Sequence, residues 1–431
     1  MATNADEIDC ERSAALGTSR VVFINRFFYP DESATSQLLS DLAFYLVAKG
    51  VAVYVITGRQ RYDDPHADLP AHEVLRGVEV RRVWSSRYGR ARLATRALDY
   101  LSFYAGATIA LLRLARPGDV LVAKTDPPLI SVPTAVVARL KRARWVNWVQ
   151  DLFPEVAMAY GMRAVRGPLG GMARWGRDWS FRGAAANVVL GEAMAARIQA
   201  AAGRGRVRII PNWSDGEAIR PVAPVDNRLR DEWRLEGRFV VGYSGNFGRV
   251  HDASAILAAA QALAGEPDIR FLMIGGGVQR ERLETECRNM AVANVDFRPF
   301  QPRERLRESL GAADVHLVSL RSDMEGLVFP SKLYGVLAAG RPVIFLGARG
   351  GEIAHLLEDA GCGMGLAQDD AEGLVAAIRE FAADPERCRD MGRRARALFE
   401  THYERQIALD RWRDLLDEVA RSAELADAPP H

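Results

Sequence analysis

Short apolar runs alternate with helical stretches along the first half of the chain, and this pattern constrains the fold more than any other feature. The first run is followed by a helix expected from about Thr35 to Lys49. The strand-like runs of this half are Val21 to Asn25, Val51 to Thr57, Val80 to Val83, Val120 to Ala123 and Trp145 to Val149. Strands that alternate with helices favour a doubly wound parallel sheet.

The same pattern stops and then begins again in the second half. A turn-rich segment with prolines, from Pro211 to Pro224, interrupts it and is predicted to be a hinge. The runs beyond it are Phe239 to Tyr243, Ile269 to Ile274, Val295 to Phe297, Val315 to Ser319 and Val343 to Leu346. The sequence therefore predicts an α/β protein with two Rossmann-like, doubly wound parallel-sheet domains and a ligand cleft between them.

Five segments follow from this pattern. They are a disordered tail at 1–19, an amino-terminal domain at 20–210, a linker at 211–237, a carboxy-terminal domain at 238–402 and a helix at 403–422 that crosses back to the first domain. The first 19 residues lack the basic start and apolar run of a secretory signal. The apolar stretch from Leu101 to Leu112 is too short to span a membrane and is expected to be a buried helix.

Cysteine spacing and charge indicate the compartment and the partner. Cys10, Cys287, Cys362 and Cys388 show no metal-ligand or disulfide spacing, which favours a reducing cytoplasm and no metal site. Residues 1–210 carry 29 lysines and arginines against 19 acidic residues, whereas the remainder carries 28 against 36. This asymmetry indicates that the first half meets an anionic surface. No recognisable nucleic-acid module accompanies it, so a cytoplasmic membrane leaflet is the preferred partner.

One segment of the basic half mixes arginines with tryptophans, as membrane-surface helices do. The residues predicted to contact membrane or acceptor are Arg163, Arg166, Arg174, Trp175, Arg177 and Trp179. The alternative is a solvated helix face whose tryptophans belong to the core.

The stretch from Glu325 to Ile344 resembles the entrance of a phosphate-binding helix. A loop with Glu325 leads to Pro330, Ser331 and Lys332, where a helix is predicted to begin. Unpaired backbone amides at such an entrance attract anions. The alternative is an ordinary strand-loop-helix unit.

Two glycine-bearing turns and one acidic strand end complete the candidate site. The turn from Gly242 to Gly248 lets a backbone approach a phosphate closely, and Gly275 lies in a second strand-end turn. Neither the dinucleotide fingerprint nor a P-loop is present. Asp151 follows a predicted strand and points into the cleft, although an N-cap for the next helix is the alternative.

The order of seven motifs resembles the family 4 glycosyltransferases of bacterial O-antigen, capsule and exopolysaccharide assembly. The motifs are YPDESATSQLL, VQDLFPE, PNWSDGE, VGYSGNFG, LMIGGG, GLVFPSKLYGVLAAGRPVI and YERQIALDRW. The resemblance implies a GT-B fold, with a nucleotide-sugar held mainly by the second domain and an acceptor by the first. It also implies metal-independent transfer that retains the anomeric configuration, with no cofactor.

The resemblance assigns roles to individual residues. It implies that Gly245 and Asn246 hold the diphosphate, with Arg249 and Lys332 as charge partners. Glu325 is expected to accept hydrogen bonds from donor-sugar hydroxyls. Asp151 is expected to position or deprotonate the acceptor. A further phosphate-side loop comprises Ser33, Ala34 and Thr35, where many relatives have glycines.

The chain departs from the family pattern at the second of two glutamates that are normally separated by seven residues. Counting from Glu325 gives Leu333, and counting back from Gly340 gives Gly335. Neither is acidic, so Ser331, Lys332 or another residue is expected to replace the contact to the ribose, or nucleotide recognition differs.

The resemblance favours a UDP-N-acetylhexosamine or deoxy relative as donor, with GDP-sugars as an alternative. It implies a polyprenyl-diphosphate-linked sugar as acceptor, at the inner face of the cytoplasmic membrane. Two other functions stay open: a nucleotide-sugar epimerase of the same fold, and a nucleotide-sugar-binding regulatory protein.

Overall fold

The computed structural model describes residues 20–88, 93–162 and 165–427. The described chain divides into two compact units. Unit 1 comprises the residues up to Pro211 together with those from Ala408, and unit 2 comprises Asn212–Ile407. The predicted tail at 1–19, Cys10 and Arg163 lie outside the described residues.

Unit 1 is built on an eight-stranded sheet of order β3-β4-β2-β1-β5-β6-β7-β8. Its strands are β1 (Val21–Ile24), β2 (Val53–Gly58), β3 (His72–Leu75), β4 (Val78–Val83), β5 (Val120–Lys124), β6 (Arg144–Trp148), β7 (Ala186–Val189) and β8 (Val207–Ile209). Its helices are α1 (Ala34–Ala48), α2 (Leu93–Leu114), α3 (Ser131–Lys141), α4 (Glu155–Ala159), α5 (Pro168–Gly183) and α6 (Glu192–Ala202).

The predicted parallel arrangement of unit 1 holds for every paired strand except one at the edge. β3 pairs antiparallel with β4 through a tight turn in which Arg76 and Gly77 both have positive φ. β1 pairs in parallel with β2 and with β5, in registers that place Val21 opposite Val53 and Val120.

Unit 2 contains a six-stranded parallel sheet of order β11-β10-β9-β12-β13-β14. Its strands are β9 (Phe239–Asn246), β10 (Ile269–Gly276), β11 (Val295–Arg298), β12 (Val315–Ser319), β13 (Val343–Gly347) and β14 (Gly363–Ala367). Its helices are α7 (Arg228–Glu232), α8 (Ser254–Ala262), α9 (Val278–Asn289), α10 (Leu306–Gly311), α11 (Lys332–Ala338), α12 (Glu352–Asp359), α13 (Ala371–Ala383) and α14 (Pro385–His402).

The segment predicted as a linker, 211–237, differs from the expectation because nearly all of it belongs to unit 2. Leu229, Trp233 and Leu235 are buried against Val240 and Leu272 of the sheet. Burial of these large apolar side chains holds the segment to the unit, since each contributes roughly 1.5–3 kcal/mol relative to exposure.

The last helix, α15 (Arg405–Asp427), belongs to unit 1 from Ala408 onward. Its Trp412 is fully buried, and its ring centroid lies 4.5 Å from that of Trp148 on β6. The helix therefore packs against the amino-terminal sheet.

The helix predicted between Leu101 and Leu112 exists as part of α2, but it is buried on one side only. Phe103 and Leu111 are buried in the core, whereas Leu101 and Ile109 are exposed. The expected burial therefore holds for the inner side of the helix and is wrong for its outer side. Across residues 20–88, 93–162 and 165–427, no helix has both the length and the apolar character required to cross a membrane.

Candidate functional site

The strand order of unit 2 reverses between β9 and β12, which are neighbours in the sheet but not in the chain. Ligands of open parallel sheets bind beyond the carboxyl ends of the strands at such a reversal. The loop after β9 and the loop after β12 meet here, because the backbone amide of Arg321 donates to the carbonyl of Val250 over 2.8 Å. This edge carries the donor-side residues predicted from the sequence.

Lys332 lies at the start of α11, with its amine directed at the end of β9. Its Nζ donates to the hydroxyl of Tyr243 and to the carbonyl oxygen of Asn246, the latter over 3.2 Å. It also lies 3.3 Å from Nε2 of His251. The amine is therefore held at the mouth of the glycine-bearing turn by side chains and backbone of β9 and its loop.

His251 fixes the lysine from a buried position. Its Nδ1 contacts the carbonyl oxygen of Ser319, which can only accept, so this nitrogen carries the proton and Nε2 can accept from Lys332. Burial and the positive charge of Lys332 lower the pKa of His251 to about 3. The imidazole is therefore neutral at pH 7 and serves as an acceptor.

Burial by the surrounding side chains lowers the pKa of the Lys332 amine well below its ordinary value, although the residue keeps part of its surface in water. An anion that binds beside the amine raises this pKa again, because the negative charge favours the ammonium form. The arrangement is suited to binding a phosphate group that carries charge.

Glycines give the turn its open space. Gly245 has a φ of +122°, and a side chain there would lie 3.5 Å from Cε of Lys332. Gly275 has a φ of +124°, and its missing side chain would collide with the carbonyl of Gly245. Gly275 is therefore explained by the close approach of β10 to β9, independently of any nucleotide.

The other predicted donor-side residues are accessible. The side chains of Asn246, Arg249 and Ser331 are exposed. The guanidinium of Arg249 is therefore accessible to a ligand. Ser331 precedes α11 and makes no side-chain capping bond.

Glu325 has a structural partner that the sequence did not indicate. Its Oε1 accepts a hydrogen bond from the backbone amide of Glu352, the first residue of α12, over 2.7 Å. A side chain at Gly351 would lie within 2.3 Å of both carboxylate oxygens, so glycine is required there. Glu325 thus caps a helix start, where a negative charge is favourable.

The family pattern expects a second glutamate at one of two positions, and both are packed against other parts of unit 2. Leu333 is fully buried, and the neighbouring Tyr334 stacks on Phe329 with ring centroids 5.6 Å apart. Gly335 lies against Leu310. An acid at either position would have to be desolvated, which is costly without a paired charge.

In unit 1, loops after the adjacent strands β5 and β6 carry the acidic candidate. The hydroxyl of Thr125 accepts from the amide of Gln150 over 2.8 Å and lies 3.5 Å from the amide of Asp151. Desolvation by surrounding protein and the charge of Asp126 raise the pKa of Asp151 to about 6, although its side chain is open to solvent. A carboxylate with this pKa can accept a proton near neutral pH.

The phosphate-side loop predicted at Ser33, Ala34 and Thr35 forms the start of α1. The buried carboxylate of Asp31 accepts from the backbone amide of Ser33 over 2.9 Å and from its hydroxyl. Ala34 is exposed and the other two are half-buried. Asp31 therefore orders the loop from below.

The predicted membrane-facing residues divide into two groups. Arg166, Arg174 and Trp175 are exposed, with Trp175 67% accessible. Arg177 is buried and pairs with Glu155 and Asp178. Trp179 is half-buried beneath the guanidinium of Arg139 at 4.1 Å, so it belongs mainly to the packing between helices.

Sequence reasoning missed Asp126 and the roles of Tyr243 and His251. Asp126 follows β5, the neighbour of β6 in the sheet. An acid directly after this strand was a signal in the sequence that could have identified it. The contact of Tyr243 with Lys332 joins residues 89 positions apart and has no local signature. Within the described ranges, no group of three or more His, Cys, Asp or Glu side chains is arranged to hold a metal ion.

Two family models match the chain, one in each half. The model described as "Glycosyl transferase 4-like domain" matches residues 35–213, and "Glycosyl transferases group 1" matches residues 225–398. Together they span most of both units.

Two relatives are similar over most of their length. The chain is 27% identical over 332 residues to the probable glycosyltransferase WbjE of Pseudomonas aeruginosa, covering 76% of this chain and 81% of the relative. It is 26% identical over 366 residues to the putative colanic acid biosynthesis glycosyl transferase WcaI of Escherichia coli K12, covering 82% and 89%.

Solved structures share the fold at lower identity. A sucrose-phosphate synthase from Thermosynechococcus elongatus matches with a TM-score of 0.74 and 17% identity, covering 94% of this chain and all of the other. Anabaena HepE in complex with UDP-glucose matches with a TM-score of 0.68 and 14% identity, covering 93% and 99%. These likenesses confirm the predicted α/β class with two parallel-sheet domains.

Proposed function

The chain belongs to the GT-B glycosyltransferases of group 1 with a 4-like amino-terminal domain, and we propose that it moves a sugar from a nucleotide-sugar to a lipid-linked glycan in surface-polysaccharide assembly. The family membership favours it over the epimerase and the regulatory protein.

The position of the Lys332 amine carries the proposal. Nζ lies at the end of β9, beside the exposed Asn246 and above the side-chain-free Gly245. In glycosyl transfer a diphosphate departs with increasing negative charge on its oxygens. A cation that is in place once the donor is bound stabilises that charge without reorganising during the reaction. Arg249 supplies a second cation, so we propose that these two charges act on the leaving group in place of a metal.

The donor is proposed to be a UDP-sugar, with an N-acetylhexosamine or a deoxy relative favoured and GDP-sugars as the alternative. The complexes of HepE with UDP and UDP-glucose support a UDP donor in this fold. The acid that normally meets the ribose is replaced here by Leu333 or Gly335. The exposed Ser331 is proposed to take over that contact.

Glu325 is proposed to accept hydrogen bonds from donor-sugar hydroxyls while it caps α12. A carboxylate accepts hydrogen bonds along about four lone-pair directions, so the bond to the amide of Glu352 does not prevent a contact with the sugar. The capping bond then has a second use, because it fixes the orientation of the carboxylate before the sugar binds.

Asp151 is proposed to position the acceptor hydroxyl or to take its proton. Its raised pKa of about 6 leaves it ionised at pH 7, yet basic enough to receive a proton. Retention of anomeric configuration is proposed from the family.

The acceptor is proposed to be a polyprenyl-diphosphate-linked sugar at the inner face of the cytoplasmic membrane. The name of WcaI, a putative enzyme of colanic acid biosynthesis, supports a role in surface polysaccharide. Exposed Arg166, Arg174 and Trp175 in the basic half are suited to a phospholipid surface. The enzyme is therefore proposed to be cytoplasmic and peripheral.

The test is an acceptor-dependence assay. The purified protein is incubated with a panel of UDP- and GDP-sugars, with and without a polyprenyl-diphosphate-linked sugar in detergent. We expect release of nucleoside diphosphate, and an acceptor heavier by one sugar, only when both substrates are present. Epimerised donor without acceptor would favour the epimerase, and binding without turnover in any combination would favour the regulatory protein.

A further inference from the structure

Three helices of unit 1 form a continuous layer over one face of its sheet. The chain moves from β4 to β5, then to β6 and to β7, always toward the same edge. Right-handed crossovers place the connecting helices of such a series on the same face. α2 packs against α3, and α3 packs against α5, as this rule predicts.

The outer side of this layer has an unusual composition. Among the residues of α2, α3 and α5 whose side chains the structure describes, the exposed positions hold only apolar residues, glycine, proline and arginine. The exposed large apolar side chains are Leu98, Leu101, Ile109, Leu112, Val136, Leu140, Leu169, Met172 and Trp175. The exposed arginines are Arg113, Arg139, Arg174 and Arg182. We call these thirteen residues the helix-layer surface.

The acids of these helices point elsewhere. Asp99 of α2 is buried and accepts from the hydroxyl of Ser86, and Asp178 of α5 pairs with Arg177. α3 contains no acidic residue. The exposed positions of these helices therefore carry positive charge and no acid, although Arg174 pairs with Glu155 of α4 at 3.3 Å.

A helix face directed at water normally carries charged and polar residues of both signs. Contiguous apolar patches on a soluble protein mark an interaction site. Leu101 is 61% exposed and Leu140 is 70% exposed, so the patch extends well into solvent. Arginines set among apolar side chains are complementary to a lipid bilayer, which has an apolar interior and anionic phosphates at its surface.

We propose that the helix-layer surface docks onto an anionic phospholipid bilayer, with its apolar side chains at the boundary of headgroups and acyl chains and its arginines on lipid phosphates. The long arginine side chains can reach the phosphates while the leucines enter. The proposal rests on the proposed function for the membrane-bound acceptor, and extends the contact from α5 to α2 and α3.

Insertion separates this proposal from a purely electrostatic contact. Charge attraction alone is screened by salt and leaves the apolar side chains in water. Burial of leucine and tryptophan side chains adds a component that salt does not remove. Binding to anionic vesicles is therefore expected to weaken with salt without disappearing.

The test is vesicle flotation of the full chain without donor or acceptor. Phosphatidylcholine vesicles are compared with vesicles that also contain phosphatidylglycerol. Leu101→Glu and Leu140→Glu are expected to lower partition onto the anionic vesicles by about tenfold or more each, the size expected when one leucine side chain is kept from burial. Val225→Glu, at an 87% exposed residue of unit 2, is the matched control and is expected to bind as the unchanged chain does.

A second readout reports insertion directly. Acyl chains brominated near the headgroup quench tryptophans that enter the bilayer, and Trp175→Phe is expected to remove most of that quenching. Calorimetric UDP binding and circular dichroism identify any glutamate variant that fails to fold, in which case Leu101→Gln and Leu140→Gln replace it.

Several outcomes overturn the proposal. The first is that Leu101→Glu and the unchanged chain bind the vesicles equally well. The second is that salt abolishes vesicle binding completely and that no tryptophan is quenched. The third is that the protein forms a dimer in sedimentation, that Leu101→Glu dissociates this dimer, and that neither form binds vesicles. Because these measurements use no sugar donor, vesicle binding without transfer would reject the proposed function and keep this surface. Transfer to the polyprenyl-diphosphate-linked sugar in detergent without vesicle binding would do the reverse.

Discussion

The Oε1 atom of Glu325 lies 2.7 Å from the backbone nitrogen of Glu352 and accepts its hydrogen bond. The residue that the family resemblance assigns to the donor sugar therefore also caps α12. One side chain of the loop after β12 caps the start of a helix 27 positions later, so its substitution affects stability as well as any contact with the sugar.

Replacing Glu325 by alanine is expected to lower the free energy of unfolding by about 1 kcal/mol, the usual effect of losing a helix cap. Glu325→Gln keeps an acceptor oxygen and is expected to lose less. Urea unfolding measures both, with the exposed Asp323→Ala as control in the same loop. Equal stability of Glu325→Ala and the unchanged chain would reject the capping role.

Lys332→Ala is expected to weaken binding of UDP and of the donor alike, by about 10- to 100-fold, the effect of one charge-assisted hydrogen bond. Both ligands lose affinity because Lys332 is proposed to contact the diphosphate, which UDP and the donor have in common. Isothermal calorimetry measures both affinities, and Arg303→Ala, an exposed cation of the same unit, is the control. An unchanged UDP affinity would remove Lys332 from the site.

UDP binding is expected to take up a proton through Lys332. The pKa of its amine is lowered in the free protein and rises beside a bound diphosphate, so UDP affinity falls as pH rises through the free-protein pKa. Calorimetry in two buffers of different ionisation enthalpy measures the uptake. Lys332→Met should abolish the part of the proton uptake that Lys332 provides. His251, with a pKa of about 3, takes up no proton near pH 7. The same uptake in Lys332→Met would contradict this origin.

Asp151→Asn is expected to lower the transfer rate by about 10²- to 10⁴-fold, the range for a lost general base, and to leave UDP affinity unchanged. In the unchanged enzyme the base form exists above the pKa of about 6, so the rate should decline as pH falls through that value. The transfer rate is measured between about pH 5 and 8, a range that includes the pKa of about 6. Asp63→Asn, at an exposed acid of unit 1, is the control. A rate that does not depend on Asp151 would leave it as a loop residue only.

Trp412→Ala is expected to destabilise unit 1 by about 3–5 kcal/mol, because it leaves a cavity beside Trp148. Nζ of Lys124 lies 3.5 Å from the centroid of the Trp148 ring, so the cavity would open next to a buried amine. The urea midpoint of the unit reports the loss, with the exposed Arg411→Ala as control. A shift no larger than the control's would show that α15 is not held through this ring.

Particular elements show why part of the fold could be predicted. β1, β5 and β13 are buried along their whole length, and they appear in the sequence as continuous apolar runs. β3 alternates between exposed and half-buried residues, and β14 contains two glycines, so neither has a strong apolar signal. Both were missed for that reason.

The candidate site was predictable where one residue follows a strand and unpredictable where two distant residues meet. Lys332 and Asp151 were found because each follows a strand whose end lies at the ligand edge. The bond between Lys332 and Tyr243, and the cap that Glu325 provides, depend on packing between segments far apart in the chain.

A crystal structure of the protein with bound UDP tests the proposed diphosphate site most directly. We expect the diphosphate at the end of β9, with a phosphate oxygen within hydrogen-bonding distance of Lys332 Nζ and the guanidinium of Arg249 turned toward it. A diphosphate bound elsewhere in unit 2, with Lys332 still donating to Tyr243 and Asn246 as in the free protein, would contradict it.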